Sequence, residues 1–229
     1  MTSPPAAVVF DLDGCLVDSE PLVIAAIVEE LQVENLNRLT FNDIRAGFLG
    51  MAMPVIWDSA AQGTGRAMPD DFVTRVEARL FTTFPAQLGC IDGVPQMLAK
   101  LSDNGVAVAI ATGGSLRRMG EALRVCDLAD TFKDVGFSAD QVARGKPAPD
   151  LFEFAARNLG VDPKDCVVME DSPHGVEGAV AAGMRVVGFV GGSHLHGMRD
   201  THAQLLASKG AADVLTDIES VTAALLAHG

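Results

Sequence analysis

Basic residues are scarce in this chain: 17 Lys and Arg stand against 30 Asp and Glu, a formal net charge of -13 at pH 7. That balance repels a phosphate backbone, and no basic stripe overcomes it, so nucleic acid is not an expected partner, although small anions can bind locally. No apolar run approaches the roughly 20 residues that cross a bilayer, and Met1 to Ala7 lacks the charged and apolar regions of a leader, so a cytoplasmic protein without a membrane partner is expected. Cysteine is limited to Cys15, Cys90, Cys126 and Cys166. They are scattered with no CxxC pair, which argues against a disulfide framework and against zinc. Aromatics are few, with one Trp and no Tyr.

What remains is the make-up of an ordinary globular protein. Hydrophobic residues make up 48% and charged residues 21% of the 229, too apolar a mixture for a disordered chain and long enough for one large core or a core with an insert. Short β-branched runs at Ala7 to Phe10, Val106 to Ala111, Val135 to Phe137, Cys166 to Met169 and Val186 to Val190 are too uniformly apolar for a one-faced sheet and read as buried parallel strands. Helical patterns alternate with them at Val94 to Asp103, Leu116 to Val125, Asp150 to Leu159 and Val176 to Ala182, the last closed by Gly183. The alternation predicts an α/β fold, a doubly wound, Rossmann-like parallel sheet, whose ligand site lies beyond the carboxyl ends of the strands.

From about Glu20 to Leu88 only helical periodicity is found: Pro21 to Leu31, Phe41 to Phe48, Pro54 to Ala61 and Asp70 to Phe84. This predicts a core domain of residues 1–17 and 89–229 interrupted by an all-helical cap domain of residues 18–88, placed to act as a lid.

Chemistry concentrates at the strand ends. In Asp11-Leu12-Asp13-Gly14, two carboxylates two residues apart on extended backbone face one patch. At 4 Å they repel by about 4 kcal/mol at an effective dielectric of 20, so a cation is expected between them. Thr112-Gly113-Gly114-Ser115 offers a hydroxyl and backbone N–H groups at a helix start, a cradle for phosphate oxygens. Lys146 can bring a fixed cation, and Glu170-Asp171 supplies the oxygens that Mg²⁺ prefers. Turn residues, an exposed lysine and helix caps explain each piece singly; their joint place at four strand ends favours a site.

In this order, Asp11-Leu12-Asp13-Gly14, Thr112, Lys146 and Glu170-Asp171 resemble the four motifs of the haloacid dehalogenase superfamily, over nearly the whole chain. The helical insert resembles the type-one cap of its subfamily I, which includes sugar-phosphate phosphatases and β-phosphoglucomutase. The resemblance implies a Mg²⁺-dependent phosphatase acting on a small phosphorylated metabolite, a sugar, polyol or sugar-acid phosphate. It implies Asp11 as nucleophile forming an aspartyl phosphate, Asp13 as general acid and base, and Thr112 with the Gly113 N–H on the phosphoryl oxygens. Lys146 would neutralise charge on nucleophile and phosphate. The cation would be held by Asp11, Asp13 through its backbone carbonyl, Asp171, and Glu170 directly or through water.

Cys15 stands where Thr or Val is more usual and is not read as a nucleophile. Asp13 disfavours dehalogenation, which needs no leaving-group acid. A phosphosugar mutase is the alternative, yet the histidine and arginine that would hold its second phosphate fall by count at Val23 and Met53. A phosphoacceptor signalling module, the further alternative, needs no cap and no Asp13; a silent binding protein would not keep every motif residue. His194, His196 and His202 read as a solvated loop and His174 as a rim, cap or surface residue. Arg45, Arg66, Arg75 and Arg79 read mostly as helix-face charges, with candidates for substrate recognition among them.

Overall fold

The computed structural model describes residues 4–227, so the first three residues of the Met1 to Ala7 stretch, and the two last of the expected core, lie outside the described part. Among the described residues six strands form one parallel sheet: β1 (Ala7–Phe10), β2 (Ala107–Thr112), β3 (Gly136–Ser138), β4 (Cys166–Glu170), β5 (Arg185–Phe189) and β6 (Asp213–Leu215). The order is β3-β2-β1-β4-β5-β6, a doubly wound α/β sheet. Every residue of β1 and β4 is buried, which is why those segments read as unbroken apolar runs rather than alternating ones.

The chain winds outward from β1 through β2 and β3, then returns to build β4, β5 and β6 on the other side. The order therefore reverses between β1 and β4, where open sheets leave a crevice at the carboxyl ends. Register sharpens the placement. Phe10 is level with Ile110 on β2 and with Met169 on β4, and the Asp11 amide donates to the Met169 carbonyl at 2.9 Å. Asp11, Thr112 and Glu170 thus leave the sheet within a residue or two of one another.

Four helices, α1 (Glu20–Val33), α2 (Phe41–Gly47), α3 (Met53–Ala60) and α4 (Phe72–Gln87), lie between β1 and α5 (Val94–Asp103). Their local logic is readable. Thr40 caps α2 by a reciprocal box with Asp43, satisfying two amides that the first turn leaves unpaired. Trp57 is fully buried against Phe72, ring centroids 4.9 Å apart at 70°, an edge-to-face contact that pins α3 to α4. The helices flanking the sheet are α6 (Leu116–Val125), α7 (Asp150–Leu159), α8 (Pro173–Ala181), α9 (Arg199–Ser208) and α10 (Ile218–Leu226).

Most boundaries fall within a few residues of the sequence reading, and two differences have a clear physical reason. Helix α8 begins at Pro173 rather than Val176, because the Ser172 hydroxyl accepts from the Gly175 amide at 2.9 Å and a first-turn proline has no needed N–H to lose. Strand β6 is only three residues long, with Asp213 exposed at the sheet edge, so it carries no apolar run to betray it; α9 and α10 around it were not anticipated either.

Candidate functional site

At the switch point the expected residues meet. Asp11, Asp13, Thr112, Lys146, Glu170 and Asp171 are all buried, none more than 6% exposed. Lys146 Nζ lies 2.9 Å from Asp11 Oδ1 and also bonds Glu170 Oε1. Burial alone would push the lysine down, but the two carboxylates outweigh it and raise its pKa, so it stays an ammonium. Glu170 also accepts from the Ser172 amide at 2.8 Å. Gly175 makes this possible: a Cβ there would fall on the Glu170 carboxylate.

Asp13 has other partners. Ser19 Oγ donates to its Oδ1 at 2.5 Å, Thr112 Oγ1 to its Oδ2 at 3.4 Å, and Arg118 Nη2 to Oδ2 at 2.8 Å. Ser19 precedes α1 but spends its hydroxyl on Asp13 instead of capping the helix. Thr112 Oγ1 accepts from the Gly114 amide at 3.0 Å, which draws the loop tight. A Cβ on Gly113 would lie 2.6 Å from the Gly50 carbonyl, so this glycine lets the insert's Phe48 to Met53 loop close over the cradle.

Arg118 escaped the sequence reading. It is buried, and its guanidinium lies where a Gly114 side chain would be. A signal existed: Arg117 and Arg118 stand in the first turn of α6, where the helix dipole disfavours cations unless an anion faces them. Glu20 and Glu77, also buried, were missed as well. Glu77 on α4 accepts from Ser115 Oγ and has Arg117 Nη1 at 3.6 Å, tying the insert to the start of α6. Burial and then the nearby Asp13 push the Glu20 carboxyl up to about 8.

A hard cation fits one corner. Oxygens of Asp11 and Asp171 and the Cys15 sulfur all lie within 4.8 Å of one another, and Asp171 Oδ2 is buried without a hydrogen-bond partner. Burial pushes the Asp11 carboxyl up to about 7 despite Lys146, and drives Asp171 well above the carboxylate range, with the charge of Asp11 adding to it. Two desolvated, mutually repelling acids with an unpartnered oxygen suit an oxygen-seeking divalent ion such as Mg²⁺. The Cys15 thiol, raised by burial and by the same acids, offers that ion little.

The histidine reading needs correction. His196 is exposed, but His194 and His202 are buried. Glycines make the room: a Cβ on Gly14 would strike Asp171 and come 2.7 Å from His194 Cε1. His194 Nε2 is 2.9 Å from Asp171 Oδ2 yet off the line a hydrogen bond needs, so both atoms stay unpartnered. His202 Nε2 meets the Asp171 carbonyl at 2.6 Å. Burial, foremost, holds both imidazoles below the usual histidine value. His174 contacts the Leu49 carbonyl through Nδ1 at 3.2 Å.

Between insert and sheet lies a cavity of about 270 Å³, lined at one end by Asp11, Asp13, Gly113 and Arg118 and at the other by apolar insert residues such as Ile24, Phe48 and Met53. The insert's arginines turn elsewhere: Arg66 pairs with Glu34, Arg75 with Glu30, Glu34 and Asp71, and Arg79 with Glu29 and Glu30. Arg45 Nη1 donates to the His194 carbonyl at 3.4 Å. None of the four lines the cavity.

Known proteins resemble this chain over most of its length. The family model of the haloacid dehalogenase-like hydrolases matches residues 5–183. Hexitol phosphatase B of Escherichia coli K12 is 32% identical over 186 residues, covering 79% of this chain and 82% of its own. A phosphorylated carbohydrates phosphatase of Thermotoga maritima is 32% identical over 204 residues, with 87% and 89% covered. The crystal structure of a HAD family hydrolase from Deinococcus radiodurans R1, solved with phosphate and sodium bound, superimposes with a TM-score of 0.72 at 33% identity, covering 99% of this chain and 100% of that one. No helix among the described residues is long and apolar enough to cross a membrane.

Proposed function

Because the chain belongs to the haloacid dehalogenase-like hydrolases, we propose that it is a phosphatase that hydrolyses a small phosphate monoester, of a sugar, polyol or sugar acid, through an aspartyl phosphate on Asp11. The observation that carries this reading is that Asp11 and Asp13 open onto one cavity together with the Gly113 loop, while Lys146, the only ammonium at the site among the described residues, is bonded to Asp11. An Asp11 carboxylate oxygen attacks phosphorus in line, and the bond from phosphorus to the ester oxygen breaks. Asp13 gives its proton to the departing alkoxide. It then takes a proton from water as that water attacks phosphorus, releasing inorganic phosphate and the Asp11 carboxylate.

Thr112 Oγ1 and the Gly113 N–H bind the phosphoryl oxygens, and Lys146 balances the charge that gathers on them. Mg²⁺ would be held by Asp11 and Asp171, with Asp13 contributing its carbonyl and Glu170 acting through Lys146 or water, and would supply Lewis-acid stabilisation of phosphoryl charge. Residues 18–88 serve as the cap that excludes water. Val23 and Met53, where a mutase would hold a second phosphate, are apolar cavity lining, which supports hydrolysis over phosphoryl return.

The test is a screen of phosphorylated sugars, polyols and sugar acids with Mg²⁺, repeated with chelator and with Asp11→Asn. Turnover abolished by both is expected. Turnover surviving both rules out the mechanism.

A further inference from the structure

The charges facing the cavity are lopsided. Its lining holds five carboxyl side chains, Asp11, Asp13, Glu20, Glu77 and Asp140, against one guanidinium, Arg118. Asp11 and Asp13 belong to the chemistry. Asp140 is engaged, accepting from the Leu116 amide at 3.1 Å. Glu20 and Glu77 have no part in the reaction as derived, and they come from the insert side of the cavity, on α1 and α4.

One guanidinium is all the positive charge that the described residues bring to the lining, and it faces five carboxyls. Lys146 is bonded to Asp11 and Glu170 and is absent from the lining. Arg117 reaches Glu77 from outside, largely exposed and stacked 4.7 Å over the Phe81 ring. Arg118 commits Nη2 to Asp13. Its Nε, however, is buried with no hydrogen-bond partner, and a buried unpaired donor on a side chain only 10% exposed is costly unless something arrives to accept from it. A carboxylate accepts hydrogen bonds and an arginine donates them, so this set complements hydroxyl groups, which do both. A second phosphate or a carboxylate would instead face five carboxyl groups with a single guanidinium, already bonded to Asp13, to balance it, beneath Ile24, Ile27, Phe48 and Met53, where charge is poorly screened.

We propose that the cavity selects a leaving alcohol bearing no second charge, a neutral sugar or polyol, and holds its hydroxyl groups through Arg118 Nε and the Glu20 and Glu77 carboxyls. This rests on the phosphatase reading and narrows it, setting sugar-acid phosphates and bisphosphates aside. Glu77, Ser115 and Arg118 then have one purpose: they line the wall against which the alcohol is read, next to the Asp13 that protonates it.

Two measurements separate this inference from the phosphatase reading itself. First, kcat/KM of the wild-type protein with Mg²⁺ is compared for a hexitol 6-phosphate, the hexonic acid 6-phosphate of equal carbon count, and a hexose bisphosphate. At least a tenfold preference for the hexitol ester is expected. Second, the same three esters are titrated into Asp11→Asn, which cannot attack phosphorus, and the rise of its thermal midpoint is read. The hexitol ester is expected to raise it most. Equal or better binding of either more highly charged ester overturns the proposal; preferential hexitol binding without wild-type turnover overturns the phosphatase reading and leaves the cavity's selectivity standing. Glu77→Gln and Glu20→Gln should each shrink the preference several-fold, and a preference unchanged in both removes these carboxyls from the assignment. Arg118→Lys keeps a cation beside Asp13 but lacks Nε, so KM for the hexitol ester should rise at least fivefold; an unchanged KM sinks the role of Nε.

Discussion

The Arg118 guanidinium stands 2.8 Å from the Asp13 carboxylate, with both side chains buried. Removing the cation leaves Asp13 with only the Ser19 and Thr112 hydroxyls, and breaking a buried pair from one side costs about 3–5 kcal/mol. Arg118→Met is therefore expected to lower unfolding free energy by roughly that amount and kcat by about 10- to 100-fold, since a misplaced acid loses part of its catalytic advantage. Arg118→Lys should recover part of both. Urea unfolding with steady-state kinetics on the same preparations checks this, and a wild-type kcat for Arg118→Met would show that Asp13 is positioned by something else.

Two glycines make a matched comparison. A Cβ on Gly175 would overlap the Glu170 carboxylate, whereas one on Gly120 in α6 meets nothing within 4 Å. Gly175→Ala should displace Glu170 from Lys146, costing about 1–3 kcal/mol as overpacking does and at least tenfold in kcat. Gly120→Ala should stabilise by about 0.5–1 kcal/mol, because alanine loses less backbone freedom in a helix, and should leave kcat alone. Equal effects on stability would show that the crowding at Gly175 is relieved cheaply.

What was legible and what was not follows from how each feature writes itself into a chain. Strands buried on both faces leave continuous apolar runs, so β1, β4 and β5 could be read within a residue, and the acids at the ends of β1 and β4 fell side by side by topology alone. Strand β6 is short and sits at the edge, so it leaves no such run. Glu77 becomes informative only through pairing across elements, and Arg118, though oddly placed in a first turn, finds its acid more than 100 positions away. The burial of His194 depends on space left by Gly14 and Gly192, a matter of packing that no local pattern records. A spacing argument sees neighbours along the chain; these side chains are neighbours only in space.

The insert should depend on acid. Burial pushes the Glu30 carboxyl up, but hydrogen bonds from Arg79 and Arg75 outweigh it and hold the group below its ordinary 4.5. A carboxyl lowered by folding contributes its stability in full above the unfolded value and loses it as pH falls through the folded one. Because both arginines are about a third exposed, water weakens the pairs. Glu30→Gln is expected to cost about 1–2 kcal/mol at pH 7 and progressively less below pH 4.5. Urea unfolding of both proteins at pH 7, 5 and 3.5 gives the comparison; a difference that grows on acidification would reverse the sign argued here.

Divalent cation should act through Asp171 in a way that needs no turnover to detect. With Asp11 and Asp171 buried together and Asp171 Oδ2 unpartnered, an ion that binds only the folded state stabilises it by about 2.7 kcal/mol at a hundred times its Kd. Adding Mg²⁺ to chelator-treated protein is therefore expected to raise the thermal midpoint. Asp171→Asn removes an acid that is costly to bury, by desolvation and by the nearby Asp11, so it should be more stable than wild type in chelator and respond little to Mg²⁺. Cys15→Ala should respond as wild type does, because a buried neutral thiol is a poor partner for a hard ion. An Asp171→Asn protein that gains as much as wild type on adding Mg²⁺ would place the cation elsewhere, and an unresponsive Cys15→Ala protein would make the sulfur, rather than the oxygens, the group that matters.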